Sequence, residues 1–261
     1  SWQVWRKRFP LSRLRPCCLW CFMFWLLWRI FHYDGVSNMQ KGAISYAARV
    51  MMQRVWGLVL FWLGARSLDW HIWVYFGTNF AVAAISMVIM FRVNAETLTE
   101  RGKVVTDSPS WDKVLLGLYW ILHFFVIHLV AGLEWQGTVS RETLYWAGMV
   151  LLVASAVLAM AALVVNTYLE STARIQTDRD QQVISTGVYG VVRHPTYLAV
   201  LLSALGISLV FSTLYVCLIA VIVGAIIILR TYLEDKMLKE RLDGYMEYAQ
   251  NVRYRLIPGI W

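Results

Sequence analysis

The run Thr196–Leu229, TYLAVLLSALGISLVFSTLYVCLIAVIVGAIIIL, holds 34 residues without one charged side chain. At about 1.5 Å of rise per residue, a single helix over it would be about 51 Å long, against a hydrocarbon core of roughly 30 Å. Ordinary tilt does not absorb that excess, so the run must fold back. The polar pair Ser212-Thr213 at its midpoint marks the turn. Two short helices are expected, about 197–211 and 213–230, forming a hairpin that is re-entrant or barely spans.

The rest of the chain has the same texture. Of 261 residues, 59% are hydrophobic and 15% charged, where a soluble domain carries roughly 25% charged. One core of this size could not hide so much apolar surface. Disorder, a secreted disulfide scaffold and a free nucleic-acid-binding domain each need more charge or far fewer aliphatics. An all-α integral membrane bundle is therefore expected. Trp73–Phe91 and Thr143–Tyr168 read as spans without a charge, and Val114–Leu133 is equally apolar apart from His123 and His128. Five residues apart, those histidines do not share a helix face well, and packing between helices is the preferred reading over a ligand pair. Val50–Ala65, interrupted by Arg54, is a shorter span. With the hairpin, six membrane helices follow Met39.

Alternating the spans puts Lys41, Arg49, Arg54, the 92–113 and 170–195 loops and the tail after Leu229 on one side. That side collects 16 of the 18 basic residues after Met39; only Arg66 and Arg141 fall opposite. Such a bias assigns the rich side to the cytoplasm. Residues 1–38 are set apart as a basic and apolar leader, with Arg6, Lys7, Arg8, Arg13, Arg15 and Arg29 ahead of or within an apolar run; the native chain is expected to start near Met39. Cys17, Cys18 and Cys21 lie in this leader and Cys217 is alone in an apolar run, so no metal site is expected.

No phosphate loop, GxGxxG, HExxH or GxSxG elbow is present. What remains is a polar segment leading into the hairpin, Glu170–His194, and another leading out, Arg230–Trp261. The hairpin brings the two together at one membrane face. In the first, Gly187 and Gly190 allow close backbone approach, and Pro195 suits the first turn of a helix. Arg193 and His194 then stand just before a helix N-terminus, where Arg193 serves either a pocket or simple anchoring to headgroup phosphate. In the second, Arg230 and Glu234 share a helix face. An i,i+4 salt bridge would explain them on a soluble helix; at the end of an apolar span a functional pocket becomes the default.

The series GVYGVVRHPTY (187–197), hairpin, RTYLEDKML (230–238), GYMEY (244–248) and VRYRLIPG (252–259) resembles the C-terminal region of the isoprenylcysteine carboxyl methyltransferase family, a relative of the phospholipid N-methyltransferases. By motif the resemblance covers about residues 180–261. Val188 stands where the family often has Pro, Ala199 where Gly is frequent, and Asp235 where a second Glu is usual; the last alters carboxylate reach without removing a functional group.

The resemblance implies a helical membrane enzyme that binds S-adenosylmethionine in a cytosolic pocket and takes a lipidic or prenylated acceptor sideways from the bilayer. It implies membrane helices over 39–169 and a cofactor region over 170–261. Gly187, Tyr189, Arg193, His194, Tyr197, Glu234, Asp235, Tyr245 and Tyr248 would form the cofactor pocket, with Arg230 and Glu234 at the catalytic position. Methyl transfer from a sulfonium needs positioning and exclusion of water rather than a protein nucleophile. Glu234 could hold the cofactor's ammonium and Arg230 orient an acceptor carboxylate through its planar fork. Three other readings stay open: methylation of a phospholipid amine, a sterol-reductase-like enzyme using NADPH, and a membrane scaffold with an inactive pocket.

Overall fold

The computed structural model describes residues 38–261 except 66 and 104–106; the 1–37 part of the leader lies outside them. All regular structure among the described residues is helical. Helix α1 is Asn38–Gly64, α2 Trp70–Val93, α3 Ala95–Gly102, α4 Ser110–Leu133, α5 Glu142–Val165, α6 Pro195–Phe211, α7 Leu214–Arg241 and α8 Tyr245–Asn251. Local chemistry sets several boundaries. The Asp69 carboxylate accepts from the Ile72 amide at 3.2 Å and starts α2. Asn94 ends α2 and caps α3, its side chain accepting from the Thr97 amide.

The hairpin turns where its polar pair stands. Ser212 closes α6 with φ +50° and Thr213 opens α7 in an extended conformation. Helix α7 runs on past the apolar part of the hairpin to Arg241, as the shared helix face of Arg230 and Glu234 requires. Arg230, Glu234 and Asp235 are therefore interior residues of a long rigid helix.

Helices α2, α4, α5 and α7 are long and apolar enough to cross a membrane, whereas α6 is shorter. The segment expected as a span over 50–65 is the second half of α1, which also carries Lys41, Arg49 and Arg54. The outer faces of the long helices are apolar: Trp73, Ile85, Val88, Val150, Val157, Val221 and Ile222 are all exposed. A belt of that extent is stable only against lipid, and the chain is an integral membrane protein.

The core is knit from buried aromatic residues of different helices. Phe61 of α1 lies 5.7 Å from Phe76 of α2 and 5.6 Å from Phe211 of α6, ring centre to ring centre. Helix α4 is not uniformly α-helical, because Ile121–Val126 forms a π-helical turn. That turn corrects the expectation for the two histidines: with i→i+5 bonding, residues five apart are brought onto one face, and His123 and His128 line the same cavity.

The tightest crossing is α5 on α6. A methyl group on Gly148 would lie 2.5 Å from the Gly206 carbonyl oxygen and 2.8 Å from the Val210 nitrogen, both backbone atoms that cannot swing away. Two turns further, the Ser155 hydroxyl donates to the Ala199 carbonyl at 2.7 Å. This contact fixes α6, and with it His194 and Tyr197, against the bundle. We expect Gly148→Ala to destabilise by about 1–3 kcal/mol through overpacking. Gly117→Ala, whose new methyl meets nothing within 4 Å, should instead stabilise by about 0.5–1 kcal/mol through helix propensity. Thermal unfolding of both variants in detergent checks the pair, and equal midpoints would dismiss the crossing as the constraint.

Candidate functional site

Two buried carboxylates organise the end of the bundle where the polar segments meet. The first is Asp235, 1% exposed. The Arg193 guanidinium grips it with a fork, Nε to Oδ1 at 2.8 Å and Nη2 to Oδ2 at 3.2 Å. Arg255 Nε donates to Oδ2 at 2.9 Å, the Tyr245 hydroxyl to Oδ1 at 3.1 Å, and Lys239 Nζ stands 3.1 Å away. His194 Nε2 lies 3.4 Å from Oδ1. Arg193 also donates through Nη1 to the Val252 and Arg253 carbonyls at 2.6 and 2.9 Å. The main chain repeats the tie, since the amides of Arg193 and His194 donate to the carbonyls of Tyr254 and Arg255. Thus α7, the turn before α6 and the C-terminal tail close around one negative charge. Arg193 is wholly engaged in this network and not placed as a headgroup anchor.

Tyr248 completes the tie by donating its hydroxyl to the Tyr189 carbonyl at 2.7 Å. Burial pushes this phenol up to about 12, and burial pushes Tyr245 up too, helped by the neighbouring Asp235 charge. Both therefore remain protonated donors at neutral pH.

The second carboxylate is Asp112, in the first turn of α4 and 0% exposed. Arg230 donates to its Oδ1 from Nε at 2.8 Å, with Nη2 also 2.8 Å away, and Nη2 reaches the Ser171 carbonyl at 2.7 Å. Asp112 Oδ2 accepts from the Ala173 amide at 2.9 Å. The pair thereby straps the 170–173 segment onto α4 and α7. Arg230 is 3% exposed and lies over the Tyr197 ring at 5.1 Å. It does not pair with Glu234, whose carboxylate instead accepts from the Tyr197 hydroxyl.

Tyr197 stands between two cavities. On its polar side, a space of about 100 Å³ is lined by Tyr189, Arg193, His194, Glu234, Tyr245 and Tyr248, together with Asn166, Glu170, Gln176 and Gln181. On its membrane side, a space of about 310 Å³ runs among α1, α2, α4, α5 and α6, with Arg230 at its edge. Glu170, Thr196 and Tyr197 border both.

The structure brings Tyr189, Arg193, His194, Tyr197, Glu234, Tyr245 and Tyr248 around one space. Gly187 and Asp235 lie outside its lining: Gly187 forms the approach turn at φ +60°, and Asp235 sits behind the wall as the charge that holds it. Asp112 and Glu170 were not singled out from sequence. Asp112 did carry a signal, as a carboxylate at the mouth of an apolar span, where an unpaired ionisable group is costly.

Fold and site define a helical membrane protein with a polar cavity where a hairpin emerges from the bundle. Residues 146–240 match the model of the isoprenylcysteine carboxyl methyltransferase (ICMT) family. The structure is similar to that of the eukaryotic intramembrane Ras methyltransferase ICMT determined without a monobody, with a TM-score of 0.55 at 16% identity. The similarity covers 99% of this chain and 90% of that one; at such identity it is a likeness of fold. No curated protein matches the sequence.

Removing the charge of Asp235 leaves the buried Arg193 and the half-buried Arg255 and Lys239 without their acceptor. Asp235→Asn is expected to lose about 3–5 kcal/mol of stability and to loosen the tail after Val252. Thermal unfolding combined with limited proteolysis of the tail measures both effects, and a parent-like midpoint would mean that the network is not organised by Asp235.

Proposed function

We propose that the protein transfers a methyl group from S-adenosylmethionine to a carboxylate on a lipidic acceptor of the prenylcysteine kind. The observation that carries this reading is the pair of cavities meeting at Tyr197, one polar and facing the loops, one enclosed by membrane helices. A water-soluble cofactor and an amphiphilic acceptor require such an arrangement, because each must reach the other without leaving its own solvent.

The donor set of the polar cavity fits the cofactor's polar end. Glu234 supplies a carboxylate for an ammonium group, and His194 and the tyrosines supply ring faces and hydrogen-bonding edges. The enclosed part, about 100 Å³, takes only the amino-acid end of such a molecule. When bound, the cofactor supplies an electrophilic methyl on a sulfonium. The chain's own residues do the rest: the Asp235 network fixes His194 and Tyr197, and the apolar bundle excludes water from the acceptor side. Arg230 spends Nε and Nη2 on Asp112 and Ser171, which leaves Nη1 as the donor for an acceptor carboxylate. A guanidinium at that place favours an anionic acceptor over a phospholipid amine.

Two substitutions separate the roles. Glu234→Gln should weaken binding of labelled S-adenosylmethionine by about 1.5–3 kcal/mol, the worth of a charge-assisted contact. Arg230→Lys keeps the charge facing Asp112 but loses the fork, so turnover on N-acetyl-S-farnesylcysteine should fall roughly tenfold or more with cofactor affinity unchanged. Binding of NADPH in place of S-adenosylmethionine would overturn the reading, and parent-like turnover of Arg230→Lys would make that residue structural.

The polar cavity is assigned to the cytoplasmic face of a multi-pass protein, because 16 of the 18 basic residues after Met39 fall on its side of the alternating spans. Ser185 and Gln250 are exposed near it. Cysteines placed at these two positions should be shielded from an impermeant thiol reagent in sealed cells, and labelling of either from outside would invert the topology.

A further inference from the structure

The membrane-side cavity contains a cation that the proposed reaction does not use. Arg54 lies in the second half of α1, lines this cavity, and has no ion-pair partner among the described residues. Its guanidinium rests over the Phe124 ring at 5.3 Å, and its Nε is buried without a hydrogen-bond partner. The other arginines of the cavity are accounted for. Arg49 donates to the Gly102 carbonyl; Arg101 donates to the Tyr46 hydroxyl and to the Leu169 and Glu170 carbonyls; Arg230 is paired with Asp112. The acid in the lining, Glu170, is held by Arg174 with two contacts of 2.9 Å. The cavity is thus cationic on balance, and Arg54 is the arginine in it without a fixed acceptor.

A second unpartnered group lies in the same lining. His123 is 5% exposed, with Nε2 3.3 Å from the Ser203 hydroxyl and its ring stacked on Tyr119. In the tautomer where Ser203 donates to Nε2, Nδ1 carries the proton, and this atom is buried with no partner. His128 differs. Its Nδ1 faces the Phe124 carbonyl at 3.1 Å and its Nε2 accepts from the Tyr75 hydroxyl at 3.0 Å, so both nitrogens are satisfied. The π-helical turn is what sets both rings on the cavity.

An uncompensated guanidinium inside an apolar bundle is costly unless an acceptor enters, and so is the imidazole N–H in the tautomer that a donating Ser203 selects. We propose that this cavity holds an anion-binding subsite, in which Arg54 and His123 Nδ1 take a carboxylate or phosphate group borne on an apolar body. The proposal rests on the acceptor-cavity reading above and narrows it. The occupant is an amphiphile with an anionic group set into its apolar length, supplied either by the methyl acceptor itself or by a separate lipid.

Binding to the full chain in nonionic detergent tests the subsite without cofactor and without methyl transfer. The probes are labelled dodecanoate and a series of α,ω-alkanedioates of graded length. In the parent protein at least one dicarboxylate should bind roughly tenfold more tightly than the monocarboxylate of equal length, a difference of the size a charge-assisted pair gives. Arg54→Gln should erase that preference, Arg54→Lys should keep most of it, and His123→Phe should reduce it. Retention of the preference in Arg54→Gln, or its absence at every length in the parent, overturns the proposal. Thermal unfolding of each variant guards against loss of fold, and the Lys variant preserves the test should Gln fail to fold.

The source of the anion is read from N-acetyl-S-alkylcysteines ending in a carboxylate or a methyl. A KM roughly tenfold lower for the carboxylate-ended compound, lost in Arg54→Gln, assigns the anion to the acceptor. Equal KM values beside Arg54-dependent dicarboxylate binding assign it to a separate lipid. Absence of methylation with that binding intact would count against the proposed reaction alone.

Discussion

A carboxylate removed from water must be surrounded by donors, and the C-terminal third of this protein is arranged around one such group. Asp235 draws Arg193, Arg255, Lys239, His194 and Tyr245 to itself from α7, the turn before α6, α8 and the tail. Attraction in a medium of low polarity offsets the loss of hydration only when every lone pair is used. That requirement is met here by side chains far apart in sequence, so the charge acts as a knot joining segments that no regular hydrogen-bond ladder connects. The position of His194 and Tyr197 follows from it, and so does the shape of the polar cavity.

The second buried pair, Arg230 with Asp112, does a different job. It ties the helix that leaves the hairpin to the start of α4 and straps the 170–173 segment across both. Between the two knots lies Tyr197, with its ring under the Arg230 guanidinium and its hydroxyl on Glu234. One side chain therefore faces a lipid-enclosed space and a polar space at once. Chemistry between a soluble and a lipidic partner needs a partition of that thickness.

The hairpin and its turn were legible because the physics is severe: a charge-free run longer than a bilayer must reverse, and Ser212-Thr213 was the polar break within it. The helical class and the grouping of the polar segments were legible for the same reason. The partners of Arg230 and Asp235 were not, because charged residues at the end of an apolar span say nothing of what they meet across the fold. Those partners stand far away, as with Asp112, 118 positions before Arg230. Nor was the shared face of His123 and His128 legible, since a five-residue spacing reads as mismatched on an ideal helix. The membrane count followed the apolar windows, but α1 mixes charge into its length and α6 falls short, leaving four helices that meet the span criteria among the described residues.

The π-helical turn in α4 amounts to one residue beyond what an α-helix needs to cover the same path. Deleting a residue within Ile121–Val126 would convert the turn to plain α-helix and leave Ser110–Trp120 close to its present phase against Ile127–Leu133, because five residues bonded i→i+5 sweep about the angle that four bonded i→i+4 do. Asp112 would keep its reach to Arg230, and His128 its place beside Tyr75. The surplus residue is thus a local widening of the helix, absorbed without turning one end against the other. A one-residue deletion is consequently tolerated inside this turn and not in the regular turns on either side, where it would rotate one end by about 100°.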